Sequence, residues 1–158
     1  MPDRFSNAKM RNPFNEIRDD PADQREGVKE VQKRLRNILD SQLEMFPADV
    51  QTMMKHIHAH LFENALTVER IKRMSRHANN NIVTRFRVTV GMGGREYIVN
   101  QRLKAAASIL CSTQVNIYFV ASSVGYTEEA FSRLFKKTYG CTPSEYRRER
   151  KGTNGREK

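Results

Sequence analysis

The apolar positions between residues 68 and 146 follow one pattern twice, with the second copy 49 positions after the first. In each copy, two stretches with the spacing of an amphipathic helix are separated by a short break. The second copy has a small residue, Ala121, followed four positions later by Gly125. This pair lets two helices cross closely and turns the chain between them. The pattern predicts two helix-turn-helix units, with cores formed by Ile71, Ile82, Phe86, Val120, Ala121, Gly125, Phe131 and Phe135.

The repeat continues beyond each unit. Thr89, Gly91, Glu96 and Tyr97 are matched 49 positions later by Thr138, Gly140, Glu145 and Tyr146. A glycine after each unit predicts a helix-ending turn, and Thr142-Pro-Ser-Glu145 has the form of a capping box that starts a last helix. The apolar periods predict helices over residues 48–64, 68–76, 79–90, 95–110, 116–123, 128–139 and 143–150. The sequence shows no strand pattern, so the predicted fold is all-α, with a long connecting helix between the two units.

The N-terminal region predicts one further helix. Residues 1–20 have no sustained period and are expected to form a disordered tail. Asp20-Pro21 resembles a helix cap followed by proline at the first helical position, and Pro47 ends the segment, so an amphipathic helix is predicted over residues 21–46. Two interpretations of this helix are open. It packs against its own chain or acts as a linker, or residues 28–45 form a homodimer contact through the heptad-like stripe of Val28, Val31, Leu35, Ile38, Gln42 and Met45.

The net charge of +10 is distributed unevenly. Residues 1–48 contain nine basic and nine acidic residues, whereas residues 49–150 contain sixteen basic and eight acidic residues. Residues 151–158, a predicted basic tail, add a net charge of +2. The basic excess lies on the half that holds the repeated pattern, so double-stranded DNA is the expected partner. A basic protein with no particular partner is the alternative.

The sequence also bounds the cellular location. No stretch approaches the roughly 18 apolar residues of a membrane span, and the N-terminus lacks the apolar run of a signal peptide. The two cysteines, Cys111 and Cys141, fit a reducing compartment and have no metal-ligand spacing. We therefore expect a cytoplasmic, nucleoid-associated protein without a membrane partner.

Two small clusters are only superficially similar to chemical sites. The histidines at positions 56, 58 and 60 lack the glutamate of a zinc protease, so a structural or solvent-facing role is expected for them. Gly91, Gly93 and Gly94 lack the Lys-Ser/Thr pair of a phosphate-binding loop, and no strand precedes them. No nucleophile with a matching base is found either. We predict no metal, no cofactor and no enzyme activity.

A specific set of motifs runs through residues 116–147: Ile117, Val120-Ala121, Val124-Gly125-Tyr126, Phe131-Ser132-Arg133, Phe135-Lys136-Lys137, Gly140 and Thr142-Pro143-Ser144-Glu145-Tyr146-Arg147. Together these residues resemble the AraC/XylS family of bacterial transcription regulators. Arg95-Glu-Tyr-Ile98 with Arg102-Leu103 is similar to the connecting helix of that family. The resemblance implies an AraC-type, homeodomain-like DNA-binding domain over residues 49–150, in which one rigid helix joins two helix-turn-helix subdomains.

The resemblance also implies roles for side chains on the second helix of each unit. Arg133 matches a groove-facing arginine, which can donate to guanine O6 and N7; a phosphate contact or an ion pair with Glu129 is the alternative. Glu129 can accept from cytosine N4 or favour the helix N-terminus. In the helix predicted over residues 79–90, Asn80 and Asn81 can contact adenine or cap the helix. The full set of base-contact candidates is Arg133, Ser132, Glu129, Asn80, Asn81, Val83 and Thr84.

Seven basic residues are candidates for contacts to the DNA backbone, which hold register without specifying sequence: Arg87, Arg95, Arg102, Lys136, Lys137, Arg147 and Arg148. The first unit departs from the family pattern. Lys72 stands where the family has a small alanine, Arg76 replaces the turn glycine, and Thr84 stands where arginine is usual. We therefore expect the second unit to follow the family more closely than the first.

The leading hypothesis is a sequence-specific DNA-binding transcription regulator. By resemblance it is an activator that inserts two recognition helices into successive major grooves and works with RNA polymerase. One alternative is a protein-interaction adaptor or antagonist that pairs through the N-terminal helix. Another is a non-specific nucleic-acid packaging protein.

Overall fold

The computed structural model describes residues 20–74 and 81–153. This part of the chain forms eight α-helices and one 3-10 turn, with no strand. The elements are α1 (Pro21–Ser41), the 3-10 turn (Leu43–Met45), α2 (Ala48–Ala59), α3 (Val68–Met74), α4 (Ile82–Val90), α5 (Gly94–Ser112), α6 (Ile117–Ser123), α7 (Glu128–Tyr139) and α8 (Pro143–Thr153). The predicted all-α fold, with two helix-turn-helix units on one long helix, is confirmed. Of the tails predicted at 1–20 and 151–158, residues 1–19 and 154–158 lie outside the described residues, as does Asn80, whereas residues 151–153 extend α8.

α5 is the central element because it contributes side chains to two separate cores. The first core lies between α2, α3, α4 and α5, and includes Tyr97 and Ile98 from α5. The second lies under α6 and α7 and includes Leu103, Ile109 and Leu110 from α5. Every residue expected in the cores of the two units is buried: Ile71, Ile82, Phe86, Val120, Ala121, Gly125, Phe131 and Phe135. Among the helices given above, none is long and apolar enough to cross a membrane.

The sequence repeat is also a repeat of local geometry. α4 ends at Gly91 and α7 at Gly140, both in the left-handed region with φ of 83° and 77°. Phe86 meets the ring of Tyr97 edge-on at 5.7 Å between centroids. The equivalent pair in the second unit, Phe135 and Tyr146, meets edge-on at 5.3 Å. Each unit is therefore fixed to the helix that follows it by the same cap and the same aromatic contact.

α1 packs along α5 and α2, so it lies against its own chain. Val28 and Leu39 are buried in the two cores, and Leu35 packs against both. The C-terminal half of the predicted stripe does not pack inside the chain, since Ile38 is 50% exposed, Met45 is 76% exposed and Gln42 is exposed. A straight helix has 3.6 residues per turn, so its inward face drifts away from a heptad pattern.

Two predicted helices end early. The helix expected over 21–46 ends at Ser41, whose hydroxyl donates to the carbonyl of Ile38 at 2.7 Å. The amide of Gln42 donates to the carbonyl of Leu39, which tightens the last turn and leads into the 3-10 turn. The helix expected over 48–64 ends at Ala59. Successive turns from there to residue 66 bring Thr67 to the start of α3, where its hydroxyl accepts from the amide of Arg70 at 3.1 Å.

Candidate nucleic-acid interface

α7 is the second helix of the second unit, and it divides its side chains sharply between core and solvent. Phe131 and Phe135 are fully buried, while Glu129, Arg133 and Lys136 are exposed and Ser132 is half-buried. The helix starts at a Thr127 cap, where the hydroxyl accepts from the amide of Ala130 at 3.3 Å. The polar face can therefore contact a partner without disturbing the packing that holds the helix.

Arg133 is exposed at the middle of that polar face. Within residues 20–74 and 81–153, Arg133 forms no hydrogen bond or salt bridge. The ion pair with Glu129 is therefore not formed in the structure. The guanidinium of Arg133 is thus available for a planar, two-donor contact to a base edge or a phosphate.

α4 is the equivalent helix of the first unit. Asn81 and Thr84 are exposed, and Val83 is half-buried. Asn81 occupies the N-cap position of α4, but its side chain makes no capping hydrogen bond. The side-chain amide of Asn81 is therefore not used in capping the helix. The back of α4 is held by an ion pair between Arg85 and Asp49 of α2, with the charged atoms 2.8 Å apart.

The two second helices border one cleft. Its volume is about 740 Å³, and its lining includes Val83 and Arg87 from α4, Arg95 from the first turn of α5, and Leu134 from α7. Both α4 and α7 therefore reach the same cleft beside α5. This arrangement is needed if both helices are to meet one face of a duplex.

Five of the seven predicted backbone contacts are exposed basic side chains: Arg87, Arg95, Lys136, Lys137 and Arg148. Arg87 and Arg95 also line the cleft, so they lie between the two units. The other two, Arg102 and Arg147, are used inside the fold.

Arg102 is 4% exposed and donates to three backbone carbonyls. Its Nε lies 2.7 Å from the oxygen of Leu61, its Nη2 lies 2.6 Å from that of Glu63, and its Nη1 lies 3.3 Å from that of Gly125. These bonds tie the segment after α2 to the turn of the second unit. The structure gives Arg102 a positioning role and lends no support to its predicted contact with the DNA backbone, because its guanidinium is buried and each of its three nitrogens donates to a carbonyl.

Gly125 has no room for a side chain. It has φ of 86°, and a Cβ added there would lie 2.9 Å from Cζ of Arg102 and 3.1 Å from the carbonyl oxygen of Phe62. The glycine therefore serves both the turn between α6 and α7 and the close approach of the Arg102 guanidinium. Arg76, which replaces the matching glycine of the first unit, lies outside the described residues.

Arg147 is half-buried and holds α8 to the end of α5. Its Nη2 donates to the carbonyl of Val115 at 2.7 Å and its Nε to that of Leu110 at 3.3 Å. Burial lowers the pKa of its guanidinium. The bonds give Arg147 a positioning role, and the structure lends no support to its predicted phosphate contact.

His58, one of the three histidines for which a structural or solvent-facing role is expected, is buried. Its Nδ1 lies 2.7 Å from Oδ1 of Asp40 in α1, and its Nε2 lies 2.8 Å from the hydroxyl of Tyr97 in α5. Burial lowers the pKa of His58, and the Asp40 carboxylate opposes this. Burial also raises the pKa of Tyr97 to about 12. The one signal in the sequence was that His58 lies next to Ile57, on the apolar side of α2.

Comparison with known proteins places the chain in a family. A family model described as a helix-turn-helix domain matches residues 78–149. The regulatory protein SoxS of Salmonella typhimurium is 30% identical over 99 residues, which are 62% of this chain and 92% of SoxS. Other curated relatives are longer, and the chain spans 41%, 13% and 29% of the length of three of them.

Two of the solved structures that match illustrate the shared fold. The C-terminal domain of AraT, a response regulator from Geobacillus stearothermophilus, has a TM-score of 0.63 at 28% identity, over 66% of this chain and 87% of that one. The DNA-binding domain of AdpA, a global transcriptional factor solved with target DNA, has a TM-score of 0.63 at 20% identity, over 70% of this chain and all of that one.

Two helix-turn-helix units on one helix, with their second helices at the border of one cleft, define a double helix-turn-helix domain of the transcription-regulator class. The match to SoxS covers most of that protein, and AraC-like regulators are among the other relatives. The chain belongs to the AraC/XylS family of transcription regulators and contains the DNA-binding domain of that family.

Proposed function

We propose that this chain binds double-stranded DNA sequence-specifically, with residues 49–150 as the DNA-binding domain and with α4 and α7 in successive major grooves. The observation that supports this most is the shared cleft, since both helices border it and both keep polar residues exposed. α5 has 19 residues and is about 28 Å long, which is comparable with the roughly 34 Å of one DNA turn. Two helices carried by such a rod can reach adjacent grooves on one face of a duplex.

Base contacts in this proposal come from the polar faces of α4 and α7. Arg133 donates to guanine O6 and N7, with Ser132 and Glu129 on the same face of α7. In the first unit, Asn81 contacts adenine, Val83 contacts a thymine methyl group, and Thr84 accepts or donates beside them, with Asn80 as a further candidate. α7 carries more of the sequence preference, because Arg133 has the strongest base-contact chemistry in the set.

Backbone contacts come from the five exposed cations named above. With about five phosphates neutralised, the affinity should fall with salt at a log-log slope near −4.5. Arg87 and Arg95 lie by the cleft between the two helices, so they would meet the phosphates of the stretch that joins the two grooves.

Binding across a salt series tests the proposal. The chain is titrated onto DNA from upstream of its own coding sequence and onto random duplex, with competitor DNA present. Preferential binding to the first duplex at every salt concentration supports sequence-specific regulation. Equal affinity for both duplexes would favour a packaging protein, and absence of binding would favour a protein-interaction adaptor.

The regulatory role follows from the family and goes beyond DNA binding. In the proposed role, the chain is an activator that recruits RNA polymerase and is therefore found with the nucleoid. Transcription reactions with purified polymerase, on a template that carries the bound site, test this. More transcript with the chain present is the expected result, and less transcript would identify a repressor.

A monomer is proposed as the DNA-binding form. The stripe that suggested a dimer is partly used inside the fold, since Val28 is buried and Leu35 packs against both cores. Ile38 and Met45 remain exposed, and two side chains provide little of the area that a stable dimer needs.

A further inference from the structure

α1 contacts both halves of the module on a surface separate from the cleft. None of the residues that line the cleft belongs to α1. Toward the second unit, Nε2 of Gln32 donates to the carbonyl of Ser123 at the end of α6, at 2.7 Å. Val28, 3% exposed, lies in the second core. The N-terminal end of α1 is thus fixed to the second unit by burial and by a hydrogen bond.

The same end of α1 makes two further contacts. Oε1 of Gln24 accepts from the amide of Gln114 at 2.6 Å, in the segment between α5 and α6. The guanidinium of Arg25 lies 5.7 Å from the ring centroid of Phe119 in α6. These contacts lie at the edge of the unit whose second helix carries Arg133.

The C-terminal end of α1 is fixed to the first half of the module. Leu39 is buried in the first core, and the carboxylate of Asp40 accepts from Nδ1 of His58 in α2. Because Nδ1 of neutral His58 keeps its proton and donates it in a hydrogen bond to the carboxylate, Nε2 accepts from the hydroxyl of Tyr97 in α5. The 3-10 turn that follows places Leu43 in the same core.

The two units are therefore joined by more than the backbone of the α5 helix. Arg102 links them at the turn of the second unit, and α1 spans them as a second rod anchored at both ends. Leu35, midway along α1, packs against both cores. A single connecting helix can bend or twist, whereas two rods fixed to the same two bodies resist both motions.

We propose that α1 is a brace that sets the distance and orientation of α4 relative to α7, and that it makes DNA binding selective for the spacing between two half-sites. The selectivity rests on the proposed DNA-binding function, while the rigidity does not. Two units held in one geometry bind two half-sites with a high effective concentration only at the matching separation. Loosely joined units would accept several separations.

Two substitutions on one helix separate bracing from a general effect of charge. Val28→Asp places a carboxylate in the second core, and Ile38→Asp places the same charge on the outer face of α1, where Ile38 is 50% exposed. Both are made in the full chain. The first should release the N-terminal end of α1, and the second should leave it in place.

A distance measurement without DNA tests the rigidity. Thr89 and Thr138 are equivalent positions of the repeat and both are exposed, so each receives a spin label after replacement of Cys111 and Cys141. Pulsed electron resonance should give one narrow distance distribution for the parent and for Ile38→Asp, and a broadened one for Val28→Asp. A distribution for Val28→Asp as narrow as that of the parent would overturn the brace.

Binding to duplexes with shifted half-sites tests the selectivity. For a bound sequence, the two half-sites are moved apart or together by about 1–3 base pairs. The parent and Ile38→Asp should prefer the original spacing by about tenfold or more, and Val28→Asp by no more than about threefold. Affinity for a duplex with one half-site should change less than about twofold. Unchanged spacing preference in Val28→Asp, or an equal loss in Ile38→Asp, would overturn the proposal.

Two outcomes need a separate reading. If Val28→Asp does not fold, Gln32→Ala decides instead, because it removes the bond to Ser123 without adding a buried charge; an unchanged distance distribution and spacing preference in that variant would then count against the brace. If the parent binds no DNA specifically, the proposed function fails, and the distance distributions still confirm or refute the rigid coupling.

Discussion

The guanidinium of Arg102 lies directly on the turn at Gly125, with Nη1 3.3 Å from the glycine oxygen and Cζ only 2.9 Å from where a Cβ would be. The arginine belongs to α5 and the glycine to the turn between α6 and α7. The same side chain also bonds the carbonyls of Leu61 and Glu63, which follow α2. The junction of the two units therefore depends on the charged side chain of Arg102 and on the absence of a side chain at Gly125.

Gly125→Ala should lower the free energy of unfolding by roughly 3 kcal/mol or more, from left-handed strain together with overpacking. Gly91→Ala is the matched control, because Gly91 has a similar φ of 83° and nothing within 4 Å of an added Cβ. It should cost about 1–2 kcal/mol, from strain alone. Urea unfolding of both variants measures the difference. Equal losses would show that the approach of Arg102 is not a constraint.

Arg102→Ala should lower the free energy of unfolding by about 2–4 kcal/mol, since three carbonyls lose their donor and two of these hydrogen bonds are buried. Arg95→Ala removes the same charge from an exposed position on the same helix, so its stability should stay within about 0.5 kcal/mol of the parent. In DNA binding, Arg95→Ala should reduce the log-log salt slope by about 1. A stable Arg102→Ala chain with a reduced salt slope would restore Arg102 as a phosphate contact.

Arg133→Ala should weaken binding to the preferred sequence by about 1–3 kcal/mol and relax preference at one base position. Lys136→Ala, on the same face of α7, should weaken all duplexes alike. Binding to a set of duplexes with each base pair changed in turn separates the two effects. An unaltered sequence preference in Arg133→Ala would exclude Arg133 from base contacts.

Stability should fall when the pH drops below about 6.5, the ordinary pKa of histidine. Burial lowers the pKa of His58 in the folded chain. The unfolded chain therefore takes up the proton first, and the contribution of His58 is complete above 6.5 and is lost as the pH falls toward its folded pKa. Urea unfolding between about pH 5 and 7.5 should show this slope in the parent and in His56→Gln, and a reduced slope in His58→Gln. An undiminished slope in His58→Gln would assign the effect elsewhere.

The chain and its Ile38→Asp variant should both sediment as monomers at high concentration in analytical ultracentrifugation. Ile38 belongs to the outer part of the stripe that suggested a dimer, so its charge would disrupt such a contact. Leu35→Asp is less informative because Leu35 packs against both cores. A parent dimer that Ile38→Asp dissociates would show that the outer face of α1 is an interface.

The two units could be predicted from sequence because their determinants are local. Gly91 and Gly140 end helices through their own backbone conformation, and Phe86 and Phe135 lie at fixed helical offsets from Ile82 and Phe131. Both features occur twice, 49 residues apart. Because they depend only on neighbouring residues, they can be recognised without knowing the tertiary contacts.

The interior role of Arg102 could not be predicted, because its acceptors are backbone carbonyls 41, 39 and 23 residues away. Carbonyls are common to every residue and leave no mark in the sequence. The division of the α1 stripe between buried and exposed positions could not be predicted for a related reason. Val28 and Leu35 fit both a heptad and a 3.6-residue period, and only packing on α5 selects Leu39 over Ile38.

α5 contributes side chains to both cores, so one core cannot unfold without removing packing from the helix that also supports the other core. Melting of either unit would expose a flank of the shared rod to water, which raises the free energy of any half-unfolded species. Heating should therefore produce one cooperative calorimetric peak rather than two, although the chain carries its motif in duplicate.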